Sequence, residues 1–303
     1  MELLYWFEAI RTPILDGFFS AITYLGSELV FMVLALAIYW CVSKSQGLYL
    51  LSVGCLGTTL NQFLKITCRI PRPWVRDPSF TIVESARADA TGYSFPSGHT
   101  QNAVGTFGCL AADSKRSWLR AVWIVLAALV AVSRMYLGVH TPMDVGVAAV
   151  MAVVLVIALR PLFRDADRRP ERMVVLLIVL TLLNGAFLVY AACWPFPADA
   201  DPVQLAHGVE NAAKLTGALI GMTIGYCLDW KKVHSDTAAP LAGQLLKLLL
   251  GLALLLAIKS GLKPILGSSI GANALRYGLM TFFAAGIWPM TFPWFAKIGA
   301  KRA

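Results

Sequence analysis

Residues 133–144 have the sequence SRMYLGVHTPMD, which places an arginine, a histidine and an aspartate between two apolar segments. Two earlier runs have the same character, KITCRIPRP at residues 65–73 and PSGH at residues 96–99. Each run lies at the edge of a hydrophobic segment, where an ionisable group is costly and usually faces a functional cavity. The three runs together supply cations, histidines and a carboxylate, a set suited to holding and cleaving a phosphate ester.

The composition indicates a membrane protein. Of the 303 residues, 58% are hydrophobic and 14% are charged, with a mean hydropathy of +0.67, whereas an ordinary soluble domain is about 25% charged. Because about 20 apolar residues cross a bilayer, the sequence predicts an all-α polytopic membrane helix bundle of about nine spans. The predicted spans are roughly residues 25–42, 47–64, 99–112, 119–133, 143–159, 173–193, 212–228, 241–258 and 274–295. The third is shorter and more polar, as expected of a helix that lines a site.

The basic residues predict the orientation of the spans. Five arginines lie in the loop 160–172, and alternation of the spans places a further set on the same side: Lys44, Lys115, Arg116, Arg120, Lys231, Lys232, Lys297, Lys301 and Arg302. By the positive-inside rule that side is cytoplasmic. We therefore expect a cell-membrane protein with the three runs and the N-terminus outside and the C-terminus in the cytoplasm. The net charge of +9 is then a signal of topology, and no nucleic-acid partner is predicted.

The three runs, in this order and spacing, resemble the tripartite signature of the type 2 phosphatidic acid phosphatase superfamily, the membrane lipid phosphatases related to vanadium haloperoxidases. The resemblance implies that the histidine at the position of His140 is the nucleophile and forms a phosphohistidine. It implies that His99 is the general acid and that Asp144 orients the ring of His140. The residues that it assigns to phosphate binding are Lys65, Arg72, Ser97, Gly98 and Arg134. All of these positions match the family pattern.

Each run also has a structural alternative. The cations could be anchors that extend from the membrane edge to water. Ser97 could be an ordinary helix cap, and Thr141, Pro142 and Asp144 form a good helix start whether or not Asp144 acts in catalysis. The helix-start reading explains neither His140 nor Arg134.

The resemblance divides the chain into three parts. Residues 25–164 would form the phosphatase core, and residues 165–303 a C-terminal extension that includes the last three of the predicted spans. Residues 1–24 have no basic leader or small-residue cleavage site and are interpreted as interfacial helices at the outer surface; a short tenth span is the alternative.

The seventh span carries polar residues and glycines on one face: His207, Glu210, Asn211, Lys214, Gly217, Gly221 and Gly225. Glu210 and Lys214 are spaced to form an i,i+4 ion pair, and the glycines would allow close helix packing. Two interpretations remain open, a role near the substrate headgroup and a purely structural packing helix.

Neither the cysteines nor the histidines have metal-ligand spacing, and no carboxylate cluster suits magnesium, so no metal or cofactor is predicted. The leading hypothesis is a phosphatase that hydrolyses a phosphate monoester or diphosphate of a lipid, with membrane lipids as its surroundings. A lipid phosphotransferase and a sugar-phosphate phosphatase are the alternative enzymes. A transporter or channel is the alternative outside enzymes, because buried charges also mark ion paths. The sequence indicates no oligomeric state.

Overall fold

A computed structural model of the chain describes residues 1–198 and 200–298. Within these ranges the secondary structure consists of helices and short turns without a strand, so the predicted all-α class is confirmed. Lys301, Arg302 and the predicted cytoplasmic C-terminus lie outside the described residues. The α-helices are α1 (Glu2–Ala9), α2 (Pro13–Thr23), α3 (Glu28–Cys41), α4 (Lys44–Cys68), α5 (Pro73–Arg76), α6 (Gly98–Asp113), α7 (Ser117–Tyr136), α8 (Pro142–Phe163), α9 (Pro170–Cys193), α10 (Pro202–Leu228), α11 (Leu241–Leu266), α12 (Ile270–Phe282) and α13 (Phe292–Lys297).

The chain forms two compact units, and the first contains residues 1–32, 53–161 and 197–205. All three of the sequence runs lie in this unit. Its α6 and α7 pack closely, with the rings of Phe107 and Trp123 stacked at 5.9 Å between centroids. A buried apolar cluster that includes Phe7, Tyr136 and Val139 lies beside the end of α7. This packing supports the connection from α7 to α8, which carries His140.

Side-chain caps fix where α6 and α8 begin. The Ser97 hydroxyl accepts a hydrogen bond from the backbone N–H of Thr100 at 3.4 Å. Before α8, the backbone N–H of Thr141 donates to the Asp144 carboxylate at 2.7 Å, and the Asp144 N–H donates to the Thr141 hydroxyl at 3.3 Å. This reciprocal pair satisfies two backbone donors that a helix start leaves free. Both predicted helix starts are confirmed.

The N-terminal helices pack against the end of α7 within the first unit. Arg11, between α1 and α2, donates to the backbone oxygen of Tyr136 at 3.1 Å and to that of Thr81 at 2.9 Å. The Tyr136 hydroxyl in turn donates to Asp16 on α2 at 2.7 Å. The helices α1 and α2 are thus attached to the part of the chain that carries the third run, and their interfacial position stays a prediction.

The second unit contains residues 33–52, 162–196 and 206–303, described to residue 298. In it the glycine ridge of α10 faces α12, because a Cβ at Gly217 would collide with the backbone of Ala274 and one at Gly221 with that of Gly278. The expected close helix packing is confirmed.

The predicted ion pair on α10 is also present, with Lys214 Nζ 2.8 Å from Glu210 Oε1. Asn273 on α12 donates to the same carboxylate at 3.0 Å, and Arg276 donates to Asn273. All four residues belong to the second unit. Polar contacts of this kind are expected where two packed helices are joined by hydrogen bonds.

Within the described residues, five helical segments are long and apolar enough to cross a membrane: Ser117–Tyr136, Pro142–Phe163, Pro170–Cys193, Leu241–Leu266 and Ile270–Lys297. A sixth would be the pair Pro13–Gly26 and Glu28–Cys41, which is bent by 48°. The remaining predicted spans, at 47–64, 99–112 and 212–228, are helical but do not meet this criterion: α6 has only 16 residues, and α4 and α10 are long enough but less apolar. The membrane-protein class is supported, and the count of nine spans stays a prediction.

Gly221→Ala is expected to destabilise the protein by about 1–3 kcal/mol, because the added methyl group would overlap the backbone of α12 and overpacking costs energies of that order. The measurement is the melting temperature in detergent. Gly185→Ala on α9 is the matched control, since a Cβ there meets nothing within 4 Å. An equal decrease for both variants would contradict the close packing of α10 against α12.

Candidate active site

The structure brings the three runs together at one end of the first unit. Lys65 lies in the last turn of α4, Arg72 precedes α5, Arg134 lies in the last turn of α7, and His140 lies between α7 and α8. The start of α6 is joined to α8 by a hydrogen bond from the Ser97 N–H to the backbone oxygen of Asp144 at 3.1 Å. The residues predicted from the sequence therefore form one cluster.

Arg72 is the centre of this cluster. Its guanidinium donates to the backbone oxygens of Thr91 at 2.7 Å, Gly92 at 2.9 Å and Val139 at 2.9 Å. The same group lies 2.9 Å from Nε2 of His140. An arginine only donates hydrogen bonds, so Nε2 must be the acceptor, and the ring proton must then lie on Nδ1. The geometry thus selects the tautomer in which Nε2 carries the lone pair.

The protonated side of the His140 ring faces an acid and a hydroxyl. Nδ1 lies 3.6 Å from the Asp144 carboxylate and 3.5 Å from the Ser94 hydroxyl. Ser94 also donates to Asp144 at 2.6 Å. All three side chains are buried, with at most 2% of their surface exposed. Ser94 therefore belongs to the site, although none of the sequence runs includes it.

Burial and the nearby cations control the charge of the site. Burial lowers the pKa of His140 well below its usual value, and the positive charges of Arg72, Arg134 and Lys65 lower it further. Burial also lowers the pKa of Arg72 to about 10, which Asp144 partly opposes. At neutral pH His140 is consequently neutral beside a charged arginine. A neutral imidazole is the form that can act as a nucleophile.

Two further cations are held by contacts outside their own runs. Lys65 Nζ donates to the backbone oxygen of Tyr93 at 2.7 Å, and Arg134 Nη1 donates to the Thr23 hydroxyl at 2.7 Å. Arg134 is only 1% exposed, and its Nε has no partner in the described part of the chain. The end of the long loop 74–95 thus contacts the site through the backbone oxygens of residues 91–93. A cation buried to this extent is not a membrane-edge anchor extended to water.

The start of α6 supplies the remaining predicted residues. Ser97 is fully buried as a helix cap, so the structural interpretation of this residue is correct, and its own hydroxyl proton can still be donated. A Cβ at Gly98 would meet nothing within 4 Å, which leaves the space beside this backbone open. His99 is half-buried in the first turn of α6. Free N–H groups at a helix start favour an anion.

The described residues contain no group of three His, Cys, Asp or Glu side chains placed to hold a metal ion. The side chains that sequence analysis missed are Ser94 and Thr23. Ser94 is two residues before Pro96 and could have been noticed as a polar residue beside a run. Thr23 is more than 100 residues from Arg134, and no local pattern connects them.

Comparison with known families supports the sequence interpretation. Residues 46–168 match the family described as the PAP2 superfamily, and residues 213–301 match the family described as PAP2 superfamily phosphatase, transmembrane extension. Residues 46–168 therefore belong to the PAP2 superfamily. The resemblance drawn from the three runs is thereby confirmed, and all of the predicted site residues lie within the first PAP2 match.

Individual PAP2 relatives are phosphatases by name. A probable sphingosine-1-phosphate phosphatase of Dictyostelium discoideum is 32% identical over 257 residues, which cover 80% of this chain and 59% of that protein. The undecaprenyl-diphosphatase BcrC of Bacillus subtilis is 31% identical over 114 residues, 37% of this chain and 55% of that protein. The chain thus spans little more than half the length of these relatives. The crystal structure of LpxE from Aquifex aeolicus has 28% identity and a TM-score of 0.46, and the similarity covers 52% of this chain and 92% of that one.

The lowered pKa of His140 predicts acid destabilisation. Below the ordinary histidine pKa of about 6.5, the unfolded chain takes up a proton that the folded site resists, so stability falls as the pH is lowered. For one group the slope is at most about 1.4 kcal/mol per pH unit. The melting temperature in detergent should decrease between pH 7 and pH 5, and His140→Gln should reduce that decrease. The exposed His207 provides the control His207→Gln; identical pH dependence in the wild type and both variants would contradict the prediction.

Proposed function

We propose that this protein is an integral membrane phosphatase that hydrolyses a phosphate monoester or diphosphate of a lipid through a phosphohistidine on His140. The observation that carries the proposal is the arrangement of the His140 ring. Its Nε2 is unprotonated and accepts from Arg72, while its Nδ1 faces Ser94 and Asp144. A phosphate that binds beside Arg72 would present its phosphorus atom to this lone pair.

In the first step Nε2 of His140 attacks phosphorus, and the bond from phosphorus to the lipid oxygen breaks. His99 gives its proton to that oxygen, so the lipid leaves as an alcohol, or as a lipid monophosphate from a diphosphate. The imidazole becomes cationic as the phosphorus–nitrogen bond forms, and the Asp144 carboxylate stabilises it. In the second step water attacks phosphorus, His99 takes a proton from the water, and inorganic phosphate leaves neutral His140.

The cations and the start of α6 would hold the phosphate during both steps. Lys65, Arg72 and Arg134 neutralise the charge on its oxygens, and arginine does so with a planar pair of donors. The Ser97 hydroxyl and the backbone beside Gly98 supply uncharged donors. Such donors are oriented before the reaction begins, and this accounts for much of the stabilisation of a phosphoryl-transfer transition state. Arg72 would exchange its contact with Nε2 for one with the substrate.

The substrate class is a phosphorylated lipid, with phosphatidate-like, isoprenyl and sphingoid phosphates as candidates. The names of the relatives favour this class, and the apolar helices around the site suit an acyl or prenyl chain. The C-terminal match to a PAP2 transmembrane extension agrees with a phosphatase core in residues 25–164 and an added part in residues 165–303. Residues 1–24 would form interfacial helices.

The proposed topology has about nine spans with the active site on the non-cytoplasmic side. Two contacts in the first unit support a shared orientation of α6 and α8. Ser97 contacts Asp144 where these helices start, whereas Arg160 donates to Ala112 and lies 3.5 Å from Asp113 where they end. The arginine-rich loop 160–172 follows that second end, so the positive-inside rule places the three runs outside.

His140→Ala is expected to reduce turnover by at least about a thousandfold, because removal of a nucleophile abolishes the chemical step. The assay measures inorganic phosphate released by purified protein from a panel of lipid and sugar phosphates. His207→Ala is the matched control and should retain activity. More than a few per cent of activity in His140→Ala would exclude His140 as the nucleophile. A lipid acceptor that gains the phosphoryl group would indicate a transferase.

Activity should persist in EDTA, since the proposed chemistry uses side chains alone.

Ser94→Ala is expected to lower kcat about tenfold with little change in KM, because loss of a hydrogen bond to a charged group costs about 1.5–3 kcal/mol. The decrease in activity should appear in kcat, since Ser94 contacts His140 and Asp144 and not the cations that bind the phosphate. Ser85→Ala, in the same loop and paired with Ser20 at 2.8 Å, is the control. A rise in KM at constant kcat would show that Ser94 acts on substrate binding instead.

The topology predicts which introduced cysteines react with an impermeant thiol reagent. In a cysteine-free background, Ser85→Cys should be labelled in intact cells, whereas Arg168→Cys should be labelled only after permeabilisation. Both positions are exposed. The reverse pattern would place the active site in the cytoplasm. Labelling of both in intact cells would show that the number of spans between them is wrong.

A further inference from the structure

The last residue of α2 and the turn that follows it reach the active site. This segment comprises Thr23 and the 3-10 turn Tyr24–Gly26, and is called the 23–26 turn below. It lies outside the residues matched by either PAP2 comparison, 46–168 and 213–301. Nevertheless, it contacts two residues of the proposed site, and all of these residues belong to the first unit.

The first contact is with Arg134. The Thr23 hydroxyl accepts a hydrogen bond from Nη1 of Arg134 at 2.7 Å, and the two side chains are 4% and 1% exposed. The Nε of the same guanidinium is buried without a partner in the described chain. Because a guanidinium is planar, a bond to one nitrogen restricts the direction of the others. Thr23 therefore fixes one donor of Arg134 while Nε remains available.

The second contact is with the backbone of His99. A Cβ on Gly26 would lie 2.7 Å from the His99 carbonyl oxygen and 2.7 Å from a methyl group of Val130. Such distances are shorter than side-chain atoms tolerate, so only glycine permits this approach. Gly26 thereby packs directly against the first turn of α6, which carries the proposed general acid.

The 23–26 turn is held in position through Tyr136, two residues after Arg134. The Tyr136 hydroxyl donates to Asp16 at 2.7 Å, and its ring lies 4.3 Å from that of Phe19. Arg11 donates to the backbone oxygen of the same tyrosine. Three contacts from residues 11–19 thus converge on one fully buried residue. They restrict movement of α2 relative to the end of α7.

We infer that the 23–26 turn is a positioning element of the active site: Thr23 orients Arg134 towards the substrate phosphate, and Gly26 sets the position of His99. This inference rests on the proposed phosphatase function and extends the site to residues of the N-terminal helices. The two residues act on different steps, since Arg134 binds phosphate and His99 transfers a proton. Their variants should consequently differ in kinetics.

Thr23→Val keeps the shape of the side chain and removes the acceptor for Arg134. Inhibition by inorganic vanadate, which resembles the transferring phosphoryl group, should weaken about tenfold, and kcat/KM should fall by a similar factor. Thr23→Ser restores the hydroxyl and should recover most of both losses. Ser20→Ala, on the same helix, removes a surface hydrogen bond to Ser85 and should behave as the wild type.

Gly26→Ala should lower kcat for an alkyl phosphate about tenfold, because the added methyl group displaces the first turn of α6. The effect should be much smaller for an aryl phosphate with a good leaving group, since that group needs little proton transfer. Inhibition by vanadate should change less than in Thr23→Val. Equal losses with both substrates would show that Gly26 does not act through His99.

Melting temperatures in detergent separate positioning from folding, and Thr23→Ala provides a second variant without the hydroxyl. Folded Thr23→Val or Thr23→Ala protein with wild-type vanadate inhibition would overturn the role of Thr23. If Thr23→Val and Thr23→Ala both lose their fold together with their activity, Thr23 is a packing residue. That outcome would also overturn its proposed role in positioning Arg134. Wild-type protein that neither releases phosphate nor is stabilised by vanadate would overturn the proposed function, and the inference with it.

Discussion

A guanidinium removed from water must find acceptors for its donors, because an unpaired buried charge costs several kcal/mol. Arg72 is 5% exposed and meets this requirement with three backbone oxygens and one ring nitrogen. The oxygens come from the end of the loop 74–95 and from the connection between α7 and α8. One buried cation thus joins two segments that are far apart in sequence. It also determines the tautomer of His140.

The charges of the site match the proposed ligand. Three cations, Lys65, Arg72 and Arg134, accompany one carboxylate, Asp144, while burial and these cations keep His140 neutral. This excess of positive charge is unfavourable in an apolar environment unless an anion balances it. A phosphate that carries two negative charges would do so. The backbone oxygens and the Thr23 hydroxyl that these cations contact offset part of the excess.

The sequence identified the residues that cluster in the structure, but it did not identify the residues that support them. Helix caps and spaced cations depend on short-range patterns, so the starts of α6 and α8 and the residues of the three runs were recognisable. Thr23 contacts the site because of how distant segments pack, and neither pattern nor periodicity encodes that contact, whereas Ser94 lies only two residues before Pro96. The span count is difficult for a related reason. Helices such as α4 and α10 replace apolar residues with polar ones where they meet other helices, which lowers the hydropathy by which spans are counted.

The contact between Arg72 and Nε2 also has a chemical consequence for the resting protein. The lone pair that would attack phosphorus is already occupied by an N–H donor, so a neutral electrophile such as an aldehyde or an alkylating agent meets a masked nitrogen. Only a compound with enough negative charge to attract the guanidinium away from Nε2 frees this lone pair. On the proposed mechanism the protein would need no lid to protect its most reactive atom from chemical damage, because the substrate's own charge releases it.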